Sequence, residues 1–203
     1  MLKIIKIPSF IKYIFPSLVW NKERSKKNIY LTFDDGPHEG LSDFILDELK
    51  KHQAKATFFY LGRKVEKFPK IIKRCIKEKH KVGNHSYSHP NGWKTNNKKY
   101  YEDIKKASKL INSNLFRPPY GKIKMSQIKQ LKKQYKIVMW DVLSRDFDKN
   151  TSAIECYNNI IKNTSSGSII VLHENEKSLK TVKEILPKIL YYFNSKGFSF
   201  EIL

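Results

Sequence analysis

Seven short runs rich in β-branched and aromatic residues recur along the chain, at positions 28–33, 55–62, 80–86, 115–119, 135–142, 167–174 and 197–203. Between them, apolar residues fall three and four apart, as in Ile45, Leu46 and Leu49 or Ile71, Ile72, Cys75 and Ile76, the spacing of one helical face. Short strands separated by helices are what parallel pairing requires, because a parallel partner is reached only through a crossover. The pattern therefore predicts an α/β fold, a distorted (β/α) barrel of seven or eight strand-helix units, with a doubly wound sheet as the second reading. No repeat, linker or low-complexity tract interrupts it. One domain is expected over residues 28–203, preceded by an N-terminal extension over residues 1–27.

A barrel gathers the C-terminal ends of its strands at one mouth, and Asp34, Asp35, His85, Arg117, Asp146 and His173 all fall at or just past such ends. In "IYLTFDDGPHEG" the two aspartates followed by Gly and Pro are ordinary turn chemistry when taken alone. In "GNHSYSHP", His85 and His89 lie four apart, a weak signal by itself. Two imidazoles and one carboxylate nevertheless form a set that holds Zn²⁺ or a similar ion and leaves positions open for water and substrate. Either Asp34 or Asp35 can complete it, and its neighbour, pointing elsewhere, is free to act as a base. "LFRPPYG" sets Arg117 before two prolines that stiffen the chain. "IIVLHEN" ends an apolar strand in His173, a candidate general acid, and "WDVLSRDFD" supplies Trp140 as a wall and Asp146 as a carboxylate able to orient that histidine.

In this order, "TFDDGP", "HSYSH", "RPPYG", "WDVLSRDF" and "IVLH" resemble the five signature motifs of the polysaccharide deacetylase family, carbohydrate esterase family 4, over about Ile29 to Leu203. The resemblance implies a distorted barrel and a metal-dependent hydrolase that removes N-acetyl groups from an N-acetylglucosamine-containing glycan, of peptidoglycan or chitooligosaccharide type, releasing acetate. It implies that Asp34 is the catalytic base and Asp35, His85 and His89 are the ligands of a divalent ion, Zn²⁺ first and Co²⁺ as an alternative. Arg117 would pair with the base, the backbone N–H of Tyr120 would stabilise the oxyanion, Asp146 would tune the acid, and His173 would be that acid. Trp140, Leu172 and Pro119 would contact substrate, the first two as walls of the acetyl pocket. The chain departs from the family pattern at Phe147, which stands where Trp is common, at Leu143 and Ile170, and at Glu174, which replaces a frequent Asp.

Composition bounds the competing readings. At 203 residues and 40% hydrophobic content the chain can bury a core, which excludes a disordered protein. The net charge of +21 invites a polyanion-binding reading, but only five of the 40 basic residues are arginine and the lysines are spread along helices. A solvated lysine surface with no specific nucleic-acid partner is expected. A catalytically inactive carbohydrate-binding domain is the other alternative, disfavoured because base, acid and ligands are all present. Cys75 and Cys156 read as buried thiols with no disulfide. The N-terminal "MLKIIKIPSFIKYIFPSLVW" is broken by lysines and prolines, so neither a signal peptide nor a span is expected. It is read first as packing on the domain and second as touching a membrane surface, which leaves a cytoplasmic or membrane-peripheral protein with a cell-envelope role open. Neither the glycan nor the oligomeric state is legible from sequence.

Overall fold

The computed structural model describes residues 4–203, so the first three residues of the N-terminal extension lie outside the described residues. In chain order the elements are α1 (Ser9–Ile14), β1 (Asn28–Asp34), α2 (Ser42–Lys51), β2 (Ala56–Tyr60), α3 (Gly62–Lys67), α4 (Pro69–Lys77), β3 (Lys81–Asn84), α5 (Asn97–Ser108), β4 (Leu115–Phe116), α6 (Met125–Leu131), β5 (Lys136–Ile137), β6 (Val142–Leu143), α7 (Ala153–Asn163), β7 (Ile169–His173), α8 (Leu179–Ser195) and β8 (Ser199–Phe200). The parallel sheet runs β5-β4-β3-β2-β1-β7-β6, and β8 pairs with the start of β1. Its two edge strands, β5 and β6, belong to one stretch of chain. Residues 138–141 therefore join the edges, and the sheet curls into a distorted barrel.

The run at 135–142 reads as one strand in the sequence, but in the structure it is two. Arg117 supplies the reason: its Nη2 donates to the Met139 carbonyl at 2.9 Å and its Nε to that of Val138 at 3.3 Å. Those carbonyls are thereby taken from any ladder, and the Met139 N–H turns outward to Val19 O at 2.7 Å. β4 stops after two residues because Pro118 and Pro119 follow Arg117 and have no N–H to donate.

β1 lies between β2 and β7 and is covered on both faces, so its apolar residues do not alternate with polar ones. Its side chains still alternate in direction. Ile29, Leu31 and Phe33 pack in the main core with Leu46 and Leu49 of α2 and Val182, Leu186 and Phe193 of α8. Tyr30 enters a smaller cluster inside the barrel with Phe59, Leu115, Val138 and Ile169. Thr32 and Asp34 face the same interior, where Arg117 meets both. Both cysteines are buried and free, Cys75 with its sulfur 3.1 Å from the Tyr60 hydroxyl.

The N-terminal segment lies across the junction of β5 and β6. Lys6 bridges to Val142 and Val19 to Val138, while Leu143 N donates to Ile5 O at 2.8 Å. Leu18 and Trp20 are buried with Tyr100, Phe116 and Ile128. Lys12 reaches the buried Asp141 at 2.7 Å, a carboxylate that also accepts from Ser168 Oγ at 2.6 Å and lies 3.4 Å from Arg24 Nη2. Phe10, Tyr13 and Ile14 remain exposed. Among the described residues no helix is long and apolar enough to cross a membrane.

Candidate active site

A cleft of about 1140 Å³ opens at the C-terminal ends of the strands, and Asp34, Asp35, His85, His89, Tyr120, Trp140 and His173 are among its lining. Asp34 ends β1 with Oδ1 accepting from Arg117 Nη1 at 2.7 Å. The guanidinium is wholly buried, stacks 4.1 Å from the Phe59 ring centroid and also donates to Thr32 Oγ1 at 2.7 Å. Arg117 is thus fixed beneath the cleft by partners on three segments, β1, β2 and residues 138–139. It holds one oxygen of Asp34 and leaves the other free of that contact.

Asp35 follows in the left-handed region, with φ 74°, which turns its side chain away from that of its neighbour. Its Oδ2 accepts from Asn175 Nδ2 at 2.8 Å. Its Oδ1 is buried with no hydrogen-bond partner, 3.2 Å from His89 Nε2 and 3.6 Å from His85 Nε2. One ligand atom from each of these three residues lies within 4.8 Å of the others. His85 Nδ1 meets the Arg117 carbonyl at 2.8 Å, and since a carbonyl only accepts, Nδ1 carries the proton and Nε2 presents a lone pair. Burial pushes the His85 pKa down to about 4 against the pull of Asp34 and Asp35, so this imidazole is neutral. Burial opposes the charge on Asp35, but His89, His85 and His173 together outweigh it and hold the carboxyl well below its usual range. A buried, unpartnered carboxylate oxygen beside a neutral imidazole lone pair is a donor set that fits a divalent cation.

The loop carrying the histidines is not helical. Ser86 and His89 are left-handed, at φ 69° and 68°. Asp103 of α5 pins the loop, accepting from the N–H groups of Tyr87 and Ser88 at 2.7 and 3.0 Å and from Ser88 Oγ at 2.6 Å. The His89 ring packs edge-on against Tyr120, with centroids 4.4 Å apart. Tyr120 is itself left-handed at φ 59°, between Pro119 and Gly121. A Cβ on Gly121 would lie 2.5 Å from Trp140, so glycine there lets the Trp140 ring close the wall. Such strain concentrated at one mouth is typical of functional loops.

On the opposite side, His173 ends β7 and is the register partner of Asp34. Asp146 holds it twice, accepting from its backbone N–H at 2.6 Å and from Nδ1 at 2.8 Å. Ser144 Oγ donates to the same carboxylate at 2.7 Å. Burial works against the imidazolium, but Asp146 outweighs it by charge and hydrogen bond, raising the His173 pKa to about 9. Nε2 is left as a proton donor. Phe147 packs edge-on against this ring at 4.8 Å, so the departure from Trp falls directly beside His173. Glu174, the other notable departure, is buried, accepts from His38 N at 3.2 Å and from the Ser42 hydroxyl, and burial raises its pKa to about 8.

Two residues expected to contact substrate, Leu172 as a wall and Pro119, are placed differently. Leu172 belongs to the main core, because β7 alternates and only Val171 and His173 face the cleft; Val171 and Leu143 line it instead. Pro119 is buried behind the Tyr120 turn and does not reach the cleft. Asn175 and Asp103 escaped the sequence reading. Asn175 stands two residues past His173 in "HEN" and was open to inspection, whereas Asp103 sits mid-helix with no local signal.

A family model described as polysaccharide deacetylase matches residues 21–140. A peptidoglycan-N-acetylglucosamine deacetylase of Bacillus cereus is 41% identical over 187 residues, covering 88% of this chain and 68% of its own. A chitooligosaccharide deacetylase of Azorhizobium caulinodans is 33% identical over 160 residues, covering 74% of this chain and 75% of its own. The crystal structure of a peptidoglycan N-acetylglucosamine deacetylase in complex with a naphthalenyl-N-oxidanyl-benzamide superposes with TM-score 0.89 at 37% identity, over 97% of this chain and 95% of that one. With the motifs, the barrel and the relatives in agreement, the chain belongs to the polysaccharide deacetylase family, carbohydrate esterase family 4.

Proposed function

We propose that this protein is a metal-dependent hydrolase that removes the N-acetyl group from N-acetylglucosamine units of a peptidoglycan-type glycan, releasing acetate. The observation that carries the reading is the opposed pair at the cleft: Asp34 against a buried guanidinium, and across the β1–β7 register His173 held protonated by Asp146. The names of the Bacillus cereus relatives support the glycan. Asp35, His85 and His89 would hold the ion, Zn²⁺ first and Co²⁺ as the alternative.

A divalent ion bound there supplies polarisation of the acetamide carbonyl and a more acidic water. The residues of the chain do the rest. Asp34 accepts a proton from the attacking water through the oxygen that Arg117 leaves free, while Arg117 fixes the carboxylate's orientation. As water oxygen bonds to the carbonyl carbon, negative charge gathers on the carbonyl oxygen, and the backbone N–H of Tyr120 is the donor assigned to it. One such donor is typically worth ~3–4 kcal/mol. His173 then passes its Nε2 proton to the nitrogen as the carbon–nitrogen bond breaks, giving acetate and a free amine. Trp140, Val171 and Leu143 exclude water around the acetyl methyl. Acetate release from N-acetylated glycans, measured with and without chelator, tests the proposal. Zn²⁺ or Co²⁺ should restore chelated enzyme, and Asp34→Asn should keep bound metal while losing turnover. Full activity in metal-stripped protein refutes it.

A further inference from the structure

We infer that the α3 side of the cleft is a carboxylate subsite, in which Arg63, with Lys64 and Lys67 beside it, binds an acidic group on the glycan and selects acidic glycans over neutral ones of equal length. The inference rests on the deacetylase reading and names the substrate class that it serves.

Lysine is too common in this chain to be diagnostic, so the argument begins with arginine. Arg24, Arg74, Arg117 and Arg145 each have a carboxylate partner, respectively Asp141, Asp43, Asp34 and Asp148. Among the described residues Arg63 alone of the five arginines has none, and it lines the cleft. Its position is fixed: Gly62 N donates to Ser86 O at 3.0 Å and Arg63 N to Tyr87 O at 3.3 Å, which lock the start of α3 to the loop that carries His85 and His89. Glycine is needed at the junction, where a Cβ on Gly62 would lie 2.7 Å from the Tyr87 ring.

Lys64 and Lys67 extend the same short helix along the cleft. Lys64 is half-buried, and burial pulls its pKa down although Asp35 and Glu174 favour its charge; it makes no ion pair among the described residues. The acidic lining residues are largely engaged elsewhere, Asp34 by Arg117, Asp35 by Asn175, and Glu176 by His38 at 3.2 Å. Glu39 is the remaining acidic lining residue. A planar guanidinium with no internal partner is shaped to bind a carboxylate through two parallel hydrogen bonds. A glycan bearing only hydroxyl and acetamide groups offers no such anion; one bearing lactyl ether or peptide carboxylates does.

The test uses the full chain loaded with Zn²⁺ and three matched N-acetylated tetrasaccharides: one with free lactyl carboxylates and no peptide, the same molecule with those groups amidated, and one with amidated lactyl groups and an acidic peptide. The wild type should show kcat/KM at least tenfold higher for a carboxylate-bearing substrate than for the amidated one at low salt, the larger gain identifying lactyl or peptide as the source. In Arg63→Gln and Arg63→Gln/Lys64→Gln that ratio should fall toward one, and Arg63→Lys should recover only part of it. Equal kcat/KM for acidic and amidated substrates in the wild type, or an unchanged ratio in the variants, overturns the subsite. Calorimetric affinities for the same three compounds are read in parallel. A deacetylase reading that fails thus gives no acetate from any substrate, while the affinity ratio still decides the subsite.

Discussion

Replacing Asp146 by Asn removes one charge and almost no volume, and the structure gives the size of the response. His173 titrates near 9 because Asp146 overcomes its burial, against about 6.5 for an unperturbed imidazole. The difference of roughly 2.5 pH units corresponds to about 3 kcal/mol favouring the imidazolium. In Asp146→Asn most of that preference goes, and burial is opposed only by the weaker pull of Asp35 and Asp34. Asn also cannot satisfy every donor that Asp146 now accepts, from His173 N, His173 Nδ1 and Ser144 Oγ, so one of them is orphaned at a cost of about 1–3 kcal/mol. The assay is acetate release against pH with metal content measured at each point. The basic limb of kcat should move down by about 2 units, the maximum should fall, and bound metal should not change. Stability carries the same sign. A folded-state pKa above the unfolded one contributes stability that is complete below about pH 6.5 and lost as pH rises through about 9, so the wild type should lose about 3 kcal/mol more than the variant over that window, the loss that comes from Glu174 being common to both. A basic limb that stays where it was would refute the link between Asp146 and His173.

Other outcomes follow from single contacts. Asn175→Ala removes the donor to Asp35 Oδ2 and should weaken Zn²⁺ affinity about tenfold or more, measured by competition with a chelator. Leu172→Ala should cost about 2–5 kcal/mol in denaturant unfolding with KM little changed, because the side chain lies in the core; a large rise in KM without loss of stability would return Leu172 to the acetyl wall. Lys12→Met leaves buried Asp141 with Arg24 at 3.4 Å and Ser168 as its remaining side-chain partners, and thermal unfolding should show a loss of about 1–3 kcal/mol.

The residues at the mouth were legible because each sits at the end of its own strand, where a change from apolar to polar is visible locally. Asp34 and His173 are the clearest case, each closing an unbroken apolar run. What sequence could not convey was direction and long-range wiring. Leu172 and Val171 are equally apolar neighbours, and only the pleat decides which one faces the cleft. The division of 135–142 into two strands depends on a guanidinium about twenty residues upstream, and the shape of the His85–His89 loop on Asp103 in the next helix. The exclusion of Pro119 from the cleft follows from the Tyr120 turn, whose left-handed backbone no composition rule announces for tyrosine.

The strap across the β5–β6 junction also sets an order of events during synthesis. Lys12 and Asp141 are 129 residues apart, so at about 5–20 residues per second the strap waits roughly ten seconds on the ribosome before its partner exists. For most of that interval Ile7, Ile11, Leu18 and Trp20 also lack Tyr100 and Phe116, the residues that they finally cover. Closure of the barrel wall beside Trp140 is therefore a late event, and until then these apolar residues of the N-terminal segment stay without their final partners.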